Sequence, residues 1–374
     1  MTTLSADEKS ELAHSVRAVC QRLATEQRVR AVALEQEGKE RGFDAHLWSV
    51  LCGQVGVSAI ALPEQVGGAG FGATTLGVVA HELGRVLAPV PLVASAVLAS
   101  GLLVETGAPV ERLEPLISGE RSAAAAITGT GGLWDRADIT LTATRAGTRW
   151  SIDGTVRHVL HGSAADDLVV VAIADGEPAV FVLDTADAGI TGEAERVLDW
   201  TRPMATITFT RAPAARLIGD GPVDDVIDRC ANRALAVLSA EQVGACERVL
   251  ELAREYACTR EQFGRPIGSF QAIKHRCADM LVDLELARSA SLAALQSIDD
   301  GDAESSWRVS MANAVCSEAL RAVSHANLQI HGGIGFTWEH SAGLYVKRAR
   351  TDEVLFGLPG QHWDRLAAAA KLLG

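Results

Sequence analysis

The segment with the clearest chemistry runs from Arg260 to Met280 and reads Arg-Glu-Gln-Phe-Gly-Arg-Pro-Ile-Gly-Ser-Phe-Gln-Ala-Ile-Lys-His-Arg-Cys-Ala-Asp-Met. Arg260 and Gln262 place a cation and an amide at the joint between two helical patterns. Because a guanidinium fork can hold two phosphate oxygens at once, this joint suits a pyrophosphate and a sugar. An ordinary helix-turn-helix corner with a surface arginine is the alternative, and the local chemistry alone would favour it.

A second segment, Gln329-Ile-His-Gly-Gly-Ile-Gly-Phe336, begins 69 residues after Arg260 and ends another helical pattern. Glycines set this closely let a backbone approach a ligand, because no Cβ stands in the way. His331 lies inside the segment and is either part of such a site or a simple helix-end residue.

Together the two segments resemble the acyl-CoA dehydrogenase family of flavoenzymes. That family carries an Arg-x-x-Phe-Gly-x-x-Ile-x-x-Phe-Gln stretch and a Gln-x-x-Gly-Gly-x-Gly stretch at this spacing, and the resemblance covers nearly the whole chain. It implies FAD as the cofactor, an acyl-CoA thioester as the substrate, and α,β-dehydrogenation as the reaction. It also implies electron transfer to an electron-transferring flavoprotein, and oligomers in which neighbouring subunits share the cofactor site.

The resemblance carries the contacts to the adenine end of FAD onto particular positions of this chain. Gln271, on the next helix, joins them because it approaches the same region, and core packing is the alternative role for Phe263. The expected cofactor-binding positions are Arg260, Gln262, Phe263, Gln271, Gln329, Gly332 and Gly333.

The match is thinner where the family contacts the flavin ring. Of the family's Thr-Glu-Pro-x-x-Gly-Ser-Asp element, only Thr128 remains as a counterpart. The family's Gly-x-Lys-x-Trp-Ile-Thr element corresponds to Gly154-Thr-Val-Arg-His-Val-Leu160, which puts His158 at the aromatic position and Leu160 at the hydroxyl position. His158 either stacks on the ring or is a solvated strand residue, and a leucine cannot hydrogen-bond a flavin.

The catalytic base is missing from both places where the family puts it. Phe356 occupies the C-terminal glutamate position, and Ala234 occupies the alternative position 26 residues before Arg260. Glu241 follows Ala234 by seven residues, which brings it back to within about 20° of the same helix face. This lone carboxylate in an apolar stretch is a candidate base or pocket residue, or is hydrogen-bonded for structure. Asp352 and Glu353 suit the role less well.

The elements that position these residues form three regions. Helical periodicity dominates residues 1–120, short β-rich runs with turn signals fill residues 121–222, and long helical patterns return over residues 223–374. The expected fold is therefore α+β, with an N-terminal helical domain, a middle β-barrel or sandwich, and a C-terminal four-helix bundle. The uncharged run from Val86 to Val104 is interrupted by prolines and fits a buried loop entering a core helix.

The composition of the chain limits which partners it could bind and in which cellular compartment it could work. A net charge of −13 argues against nucleic acid and anionic membranes as partners. The seven cysteines form no CxxC pair, which indicates reduced thiols and no zinc site. We therefore also expect no bound metal. The N-terminal residues lack the apolar core of a signal peptide, so we expect a cytoplasmic protein.

Two functional interpretations follow from the resemblance. In the first, the chain is a self-sufficient FAD-dependent acyl-CoA dehydrogenase in a homo-oligomer. In the second, it resembles bacterial members that lack the C-terminal glutamate and pair with a catalytic homologue in α2β2 heterotetramers, often acting on steroid side-chain CoA thioesters. Retained adenine-end motifs beside missing ring and base residues suit the second. An acyl-CoA oxidase is a third interpretation that the sequence does not separate from the others.

Overall fold

The computed structural model describes residues 3–34, 42–127, 135–219 and 221–369. Helices come first, a β-sheet occupies the middle, and helices return to the C-terminus. The first group of helices is α1 (Ala6–Leu23), α2 (Glu26–Leu34), α3 (Ala45–Val50), α4 (Ala73–Arg85), α5 (Ser100–Glu105) and α6 (Val110–Ile117).

The apolar run in this first group is a core segment. A π-helical stretch, Leu92–Ala99, leads directly into α5, and every residue of that stretch is buried. This confirms the interpretation of the run as a core helix entered by a loop. No helix within the described ranges is both long and apolar enough to cross a membrane.

The middle region is a closed barrel with two added strands. Pairing of β4 with β5 closes the ring β4–β2–β3–β7–β5, while β1 pairs with β4 and β6 pairs with β7. The strands are β1 (Ala123–Ala126), β2 (Thr142–Ala146), β3 (Arg149–Leu160), β4 (Asp167–Ala174), β5 (Glu177–Asp184), β6 (Ile190–Ala194) and β7 (Met204–Leu217). The expected barrel or sandwich is thus a barrel, which leaves few free strand edges.

The barrel has its own core, because alternate side chains of its strands point inward. Ile152 and Phe181 are fully buried in this core. Trp150 packs edge-on against Phe181, with ring centroids 5.5 Å apart. These contacts anchor the start of β3 in the barrel core, and two shifts in its register against β7 precede the end that carries Leu160.

The C-terminal region contains three long helices with two shorter ones packed on α9. Helix α7 has 37 residues and is therefore about 55 Å long. The C-terminal helices are α7 (Val223–Thr259), α8 (Gln271–Asp299), α9 (Ser305–His331), α10 (Ala342–Asp352) and α11 (Pro359–Ala369), with a short hairpin of β8 (Glu261–Gln262) and β9 (Arg265–Pro266) between α7 and α8.

Helices α4 and α7 cross at a reciprocal pair of glycines. A Cβ on Gly84 would lie 2.0 Å from the carbonyl oxygen of Glu241, and a Cβ on Gly244 would lie 1.9 Å from that of His81. Only glycine permits so close an approach at both positions. The crossing joins the first and last groups of helices and fixes the height of Glu241 on α7.

This order of elements confirms the predicted α+β architecture of helical, β and helical parts. The domain boundaries expected at residues 120 and 222 stay predictions; β1 begins at Ala123 and α7 begins at Val223, which is compatible with both.

Candidate functional site

The Arg260 segment forms a tight hairpin between α7 and α8. Helix α7 ends because Arg260 adopts an extended conformation, with φ −75° and ψ 122°. Phe263 and Gly264 then both have positive φ, 54° and 74°, between the paired strands β8 and β9. Positive φ at both central residues is the signature of a type I′ turn. The amide of Ile267 donates to the carbonyl of Arg260 at 2.8 Å and closes the hairpin.

Phe263 points away from the protein interior. Its side chain is 91% exposed, so the alternative of core packing is wrong. Its ring touches Phe270 edge-on at 6.1 Å, and the guanidinium of Arg265 lies 4.2 Å above the Phe270 ring. A bulky residue held at positive φ in solvent is strained without a packing benefit, which is typical of a residue that serves a ligand or a partner.

The polar residues of this hairpin are open to a ligand. Arg260, Gln262 and Gln271 are all exposed. In the part of the chain that the structure describes, no carboxylate pairs with the Arg260 guanidinium. An exposed, unpaired guanidinium beside two amides fits the pyrophosphate and sugar of FAD.

The glycine-rich segment follows the end of α9 at once. Gly332 has φ 60° and ψ −139°, which only glycine adopts readily. A Cβ on Gly333 would meet no atom within 4 Å, whereas one on Gly335 would lie 3.0 Å from the Cβ of His331. Gly335 is thus needed for packing, while the exposed backbone of Gly333, next to exposed Gln329, is free to approach a ligand.

The structure joins these two segments through a pair of rings. Tyr256, one turn before Arg260, stacks on His331 with ring centroids 4.3 Å apart and an interplanar angle of 27°. The amide of Arg260 donates to the carbonyl of Tyr256 at 2.8 Å. All the predicted adenine-end residues therefore belong to two segments in mutual contact. Tyr256 carries no signal of this role in the sequence, because an aromatic residue in an amphipathic helix is typical of the core.

His158 and Leu160, which correspond to the family's flavin-ring contacts, are not open to a ligand in the way that the adenine-end residues are. His158 lies in a β-bulge of β3 with φ 59°, and its Nδ1 lies 2.7 Å from Oε2 of Glu195. The backbone amide of His158 donates to the other oxygen of Glu195 at 3.0 Å. Leu160 is buried. Thr128 lies outside the described residues. The aromatic position is thus held by a half-exposed histidine that already has a carboxylate partner.

Glu241 is not a lone carboxylate. It is 5% exposed, and its Oε1 lies 2.5 Å from Nη1 of Arg348 and 2.7 Å from Nη2 of Arg202. The Arg348 contact is a hydrogen bond, while the Arg202 contact is an ion pair without hydrogen-bond alignment. Two guanidinium groups on one oxygen compensate the negative charge of Glu241. Its role as the base stays a prediction that this pairing disfavours.

The two arginines belong to a buried ionic cluster between the β6–β7 loop, α7 and α10. We define the cluster by its five charged residues, Asp199, Arg202, Glu241, Arg348 and Asp352. Nε of Arg348 donates to Asp199 at 2.7 Å, and Nε of Arg202 donates to Asp352 at 3.1 Å. Three carboxylates therefore face two guanidinium groups, so the cluster holds one excess negative charge.

Burial shifts the pKa of one member of the cluster and of a neighbouring histidine. Burial, opposed by Arg202 and Arg348, raises the pKa of Asp352 to about 6. His161 is buried nearby, and burial together with the charges of Arg202 and Arg348 lowers its pKa to about 3. Near pH 7 His161 is therefore neutral. No charged pattern in the sequence signals the cluster, because its members come from three distant segments.

The family's two base positions carry no acid. Phe356 is buried with φ 61°, and Ala234 is fully buried. The carbonyl of Phe356 lies 3.1 Å from Nε2 of His362, which holds this segment against α11. Over residues 3–34, 42–127, 135–219 and 221–369, no group of three or more His, Cys, Asp or Glu residues could hold a metal ion.

Comparisons with known proteins identify the family of the chain. The model of the acyl-CoA dehydrogenase N-terminal domain matches residues 6–120, and that of the acyl-CoA dehydrogenase C-terminal domain matches residues 225–371. The acyl-CoA dehydrogenase IpdE2 of Mycolicibacterium smegmatis is 36% identical, over 97% of this chain and 98% of that protein.

Solved structures share the fold over their full length. The ChsE4-ChsE5 complex from Mycobacterium tuberculosis has a chain with a TM-score of 0.87 and 28% identity, covering 100% of both chains. A variant of the Tcur3481-Tcur3483 steroid ACAD has a TM-score of 0.86 and 29% identity, covering 98% of both. Members of the family use FAD, and the adenine-end segments of this chain fit that cofactor. The chain belongs to the acyl-CoA dehydrogenase family, the flavin-dependent oxidoreductases that act on CH–CH bonds.

Proposed function

We propose that this chain is the partner subunit of a two-component acyl-CoA dehydrogenase. It completes the FAD site of a homologous catalytic chain in an α2β2 heterotetramer, and the assembly oxidises the Cα–Cβ bond of an acyl-CoA thioester. One contrast carries the proposal: the adenine-end segments are intact and exposed, whereas Leu160 at the ring end and Phe356 and Ala234 at the base positions lack the required chemistry.

The adenine end of FAD has a ready-made surface here. In the complex, the Arg260 guanidinium would hold pyrophosphate oxygens, Gln262 and Gln329 would bind sugar or adenine edges, and the bare backbone at Gly333 would leave room for the cofactor. The exposed Phe263 ring then lies at the junction with the partner chain. These residues bind and orient the cofactor, and none of them takes part in proton transfer.

The chemistry at the thioester needs groups that this chain does not present at the family's positions. Bound FAD supplies the acceptor for hydride from the β-carbon. Removal of the α-proton needs a positioned carboxylate with suitable proton affinity. Phe356 and Ala234 cannot take a proton, and Glu241 is held by two arginines. In this proposal the base belongs to the homologous chain, and an electron-transferring flavoprotein takes the electrons from the assembly.

The similarity to a steroid ACAD named after two components, Tcur3481 and Tcur3483, supports a steroid side-chain CoA thioester as the substrate. The similarity to a chain of the ChsE4-ChsE5 complex supports an assembly of two different chains. A bulky, ring-bearing acyl group and a two-chain assembly are therefore proposed together.

The experiment compares the chain expressed alone with the chain co-expressed with a homologous catalytic chain. FAD content per chain is measured by absorbance, and assembly mass by light scattering. We expect little FAD with the chain alone, and an α2β2 complex whose flavin bleaches anaerobically with a steroid side-chain CoA. A yellow homo-oligomer that bleaches without a partner would contradict the proposal and establish the self-sufficient alternative.

A further inference from the structure

The two adenine-end segments begin 69 residues apart, and a ring contact connects them in addition to the packing of α7 on α9. Tyr256 and His331 stack with centroids 4.3 Å apart. Tyr256 is bound to Arg260 through a backbone hydrogen bond of 2.8 Å, and His331 is followed directly by Gly332. A shift of the His331 ring therefore moves the diglycine relative to the Arg260 hairpin.

His331 is held from several sides. Its Nδ1 lies 2.9 Å from the carbonyl oxygen of Asn327, and the His340 ring covers it with centroids 4.2 Å apart and tilted by 45°. Gly335 folds back so closely that a Cβ there would lie 3.0 Å from the Cβ of His331. The imidazole thus lies between the Tyr256 and His340 rings, with a third wall formed by its own glycine-rich segment.

The ring is neutral under ordinary conditions. Burial lowers the pKa of His331, opposed in part by its contact with the Asn327 carbonyl. The amide of Ala342 donates to Nδ1 of His340 at 3.1 Å, so that nitrogen is unprotonated in this arrangement. Two neutral imidazoles and a phenol can stack without repulsion, and their value lies in shape and dispersion rather than in charge.

We propose that His331 is a positioning residue of the FAD site, acting through its stack on Tyr256 to hold Gly332 and Gly333 at the correct distance from the Arg260 hairpin. The inference rests on the proposed function, since it concerns the adenine-end site that this chain contributes. His331 touches neither the substrate nor the reacting atoms. Its contribution is the geometry of a two-part cofactor surface.

Two substitutions separate positioning from other roles. His331→Ala removes the ring, whereas His331→Phe keeps an aromatic ring that can stack but cannot hydrogen-bond or titrate. Both are placed in the complex with the homologous catalytic chain, and the dissociation constant of FAD is measured by titrating the apo-complex and following flavin fluorescence. His325→Ala is the matched control, because His325 is an exposed histidine on the same helix.

We expect His331→Ala to weaken FAD binding by about tenfold, and His331→Phe to bind FAD within about threefold of the unmodified complex. Equal FAD affinity in the unmodified and His331→Ala complexes would overturn the positioning role. Loss of affinity in His331→Phe as large as in His331→Ala would also overturn it, since stacking would then not be the cause. If His331→Ala fails to assemble, Tyr256→Leu takes its place, because it removes the other ring of the stack; we then expect Tyr256→Leu to weaken FAD binding by about tenfold, and unchanged affinity would overturn the positioning role.

Failure of this inference differs from failure of the proposed function. An Arg260→Ala complex serves as the reference. If Arg260→Ala weakens FAD binding while His331→Ala does not, only the positioning role is wrong. If neither substitution affects FAD binding, the chain does not contribute the adenine-end surface, and the proposed function is wrong as well.

Discussion

The imidazole of His158 is already paired: its Nδ1 lies 2.7 Å from Oε2 of Glu195, whose other oxygen accepts the backbone amide of His158 at 3.0 Å. Thr206 also donates its hydroxyl to Glu195 at 2.8 Å. These hydrogen bonds lower the pKa of Glu195 against the opposing effect of burial, so the carboxylate is ionised near pH 7. The position that the family resemblance assigns to a ring-stacking aromatic is thus part of a local polar network.

We predict that His158→Ala, made in this chain within the heterotetramer, changes FAD content and turnover by less than about twofold, as for an ordinary surface substitution. The reason is that the ring-end surface of this chain is not used in the proposed assembly. The FAD content of the variant heterotetramer is measured by absorbance, and its activity by steady-state turnover. A large loss of flavin or a shifted flavin spectrum would show that His158 lies against the ring.

Glu241→Gln tests the candidate base. It removes the charge that Arg202 and Arg348 both contact and weakens the hydrogen bond from Arg348, while Asp199 and Asp352 still balance the two arginines. We therefore expect the free energy of unfolding to fall by roughly 1 to 3 kcal/mol. Turnover per bound flavin stays unchanged in the protein that remains folded. Thermal unfolding and turnover are measured side by side, with Glu255→Gln as the control because Glu255 is an exposed residue of the same helix. A stable complex that keeps its flavin but loses turnover would identify Glu241 as the base.

The buried ionic cluster predicts a particular pH dependence of stability. Asp352 has a folded pKa of about 6, above its ordinary value, so its titration adds stability as the pH falls from about 6 to about 4. His161 has a folded pKa of about 3, below its ordinary value, so its contribution is present above pH 6.5 and is lost as the pH falls towards 3. The two effects oppose each other between about pH 4 and pH 6.

Asp352→Asn removes one of the two opposing titrations. We expect the variant to lose stability on acidification from pH 7 to pH 4 more steeply than the unmodified chain, by about 3 kcal/mol in the free energy of unfolding. Urea unfolding at several pH values measures the difference. Parallel curves for the two proteins would mean that folding does not raise the pKa of Asp352.

The backbone conformation of Phe263 lowers the stability of the chain, and its exposed ring does not offset this by packing. Its φ of 54° is costly for a phenylalanine, and the preferred residue pair for this turn is Asn-Gly. We expect Phe263→Asn to unfold at the same temperature or higher, with a free-energy gain of up to about 1 kcal/mol, while FAD content of the heterotetramer falls. Unfolding temperature and flavin absorbance are compared in one preparation. Unchanged FAD would assign the ring to subunit contact alone.

The adenine end could be predicted from the sequence because its chemistry is local. Arg260, Gln262 and Phe263 lie within four consecutive residues, at and just after the end of α7. Gly332 and Gly333 directly follow the end of α9. The long helices could also be predicted, since their 3.6-residue periodicity extends over many turns. Strand β1 was missed because it consists of four alanines, which carry little β-propensity.

The ionic cluster could not be predicted from the sequence, because its contacts join residues that are far apart in the chain. Arg348 and Glu241 are 107 residues apart and meet only after α10 packs beside α7 and the β6–β7 loop closes over them. A carboxylate in an apolar helix signals that some partner is needed, yet the sequence does not say which. The same holds for Tyr256 and His331, whose stack depends on how α7 and α9 are aligned in the fold.

The most direct test of the account is the FAD content of the purified heterotetramer when only this chain carries Arg260→Ala. Arg149→Ala is the matched control, since Arg149 is an exposed arginine on β3. Loss of charge-assisted bonds to the pyrophosphate predicts FAD binding weaker by on the order of a hundredfold, with the assembly intact. A complex that keeps full FAD with Arg260→Ala would contradict the claim that this chain supplies the adenine end of the flavin site.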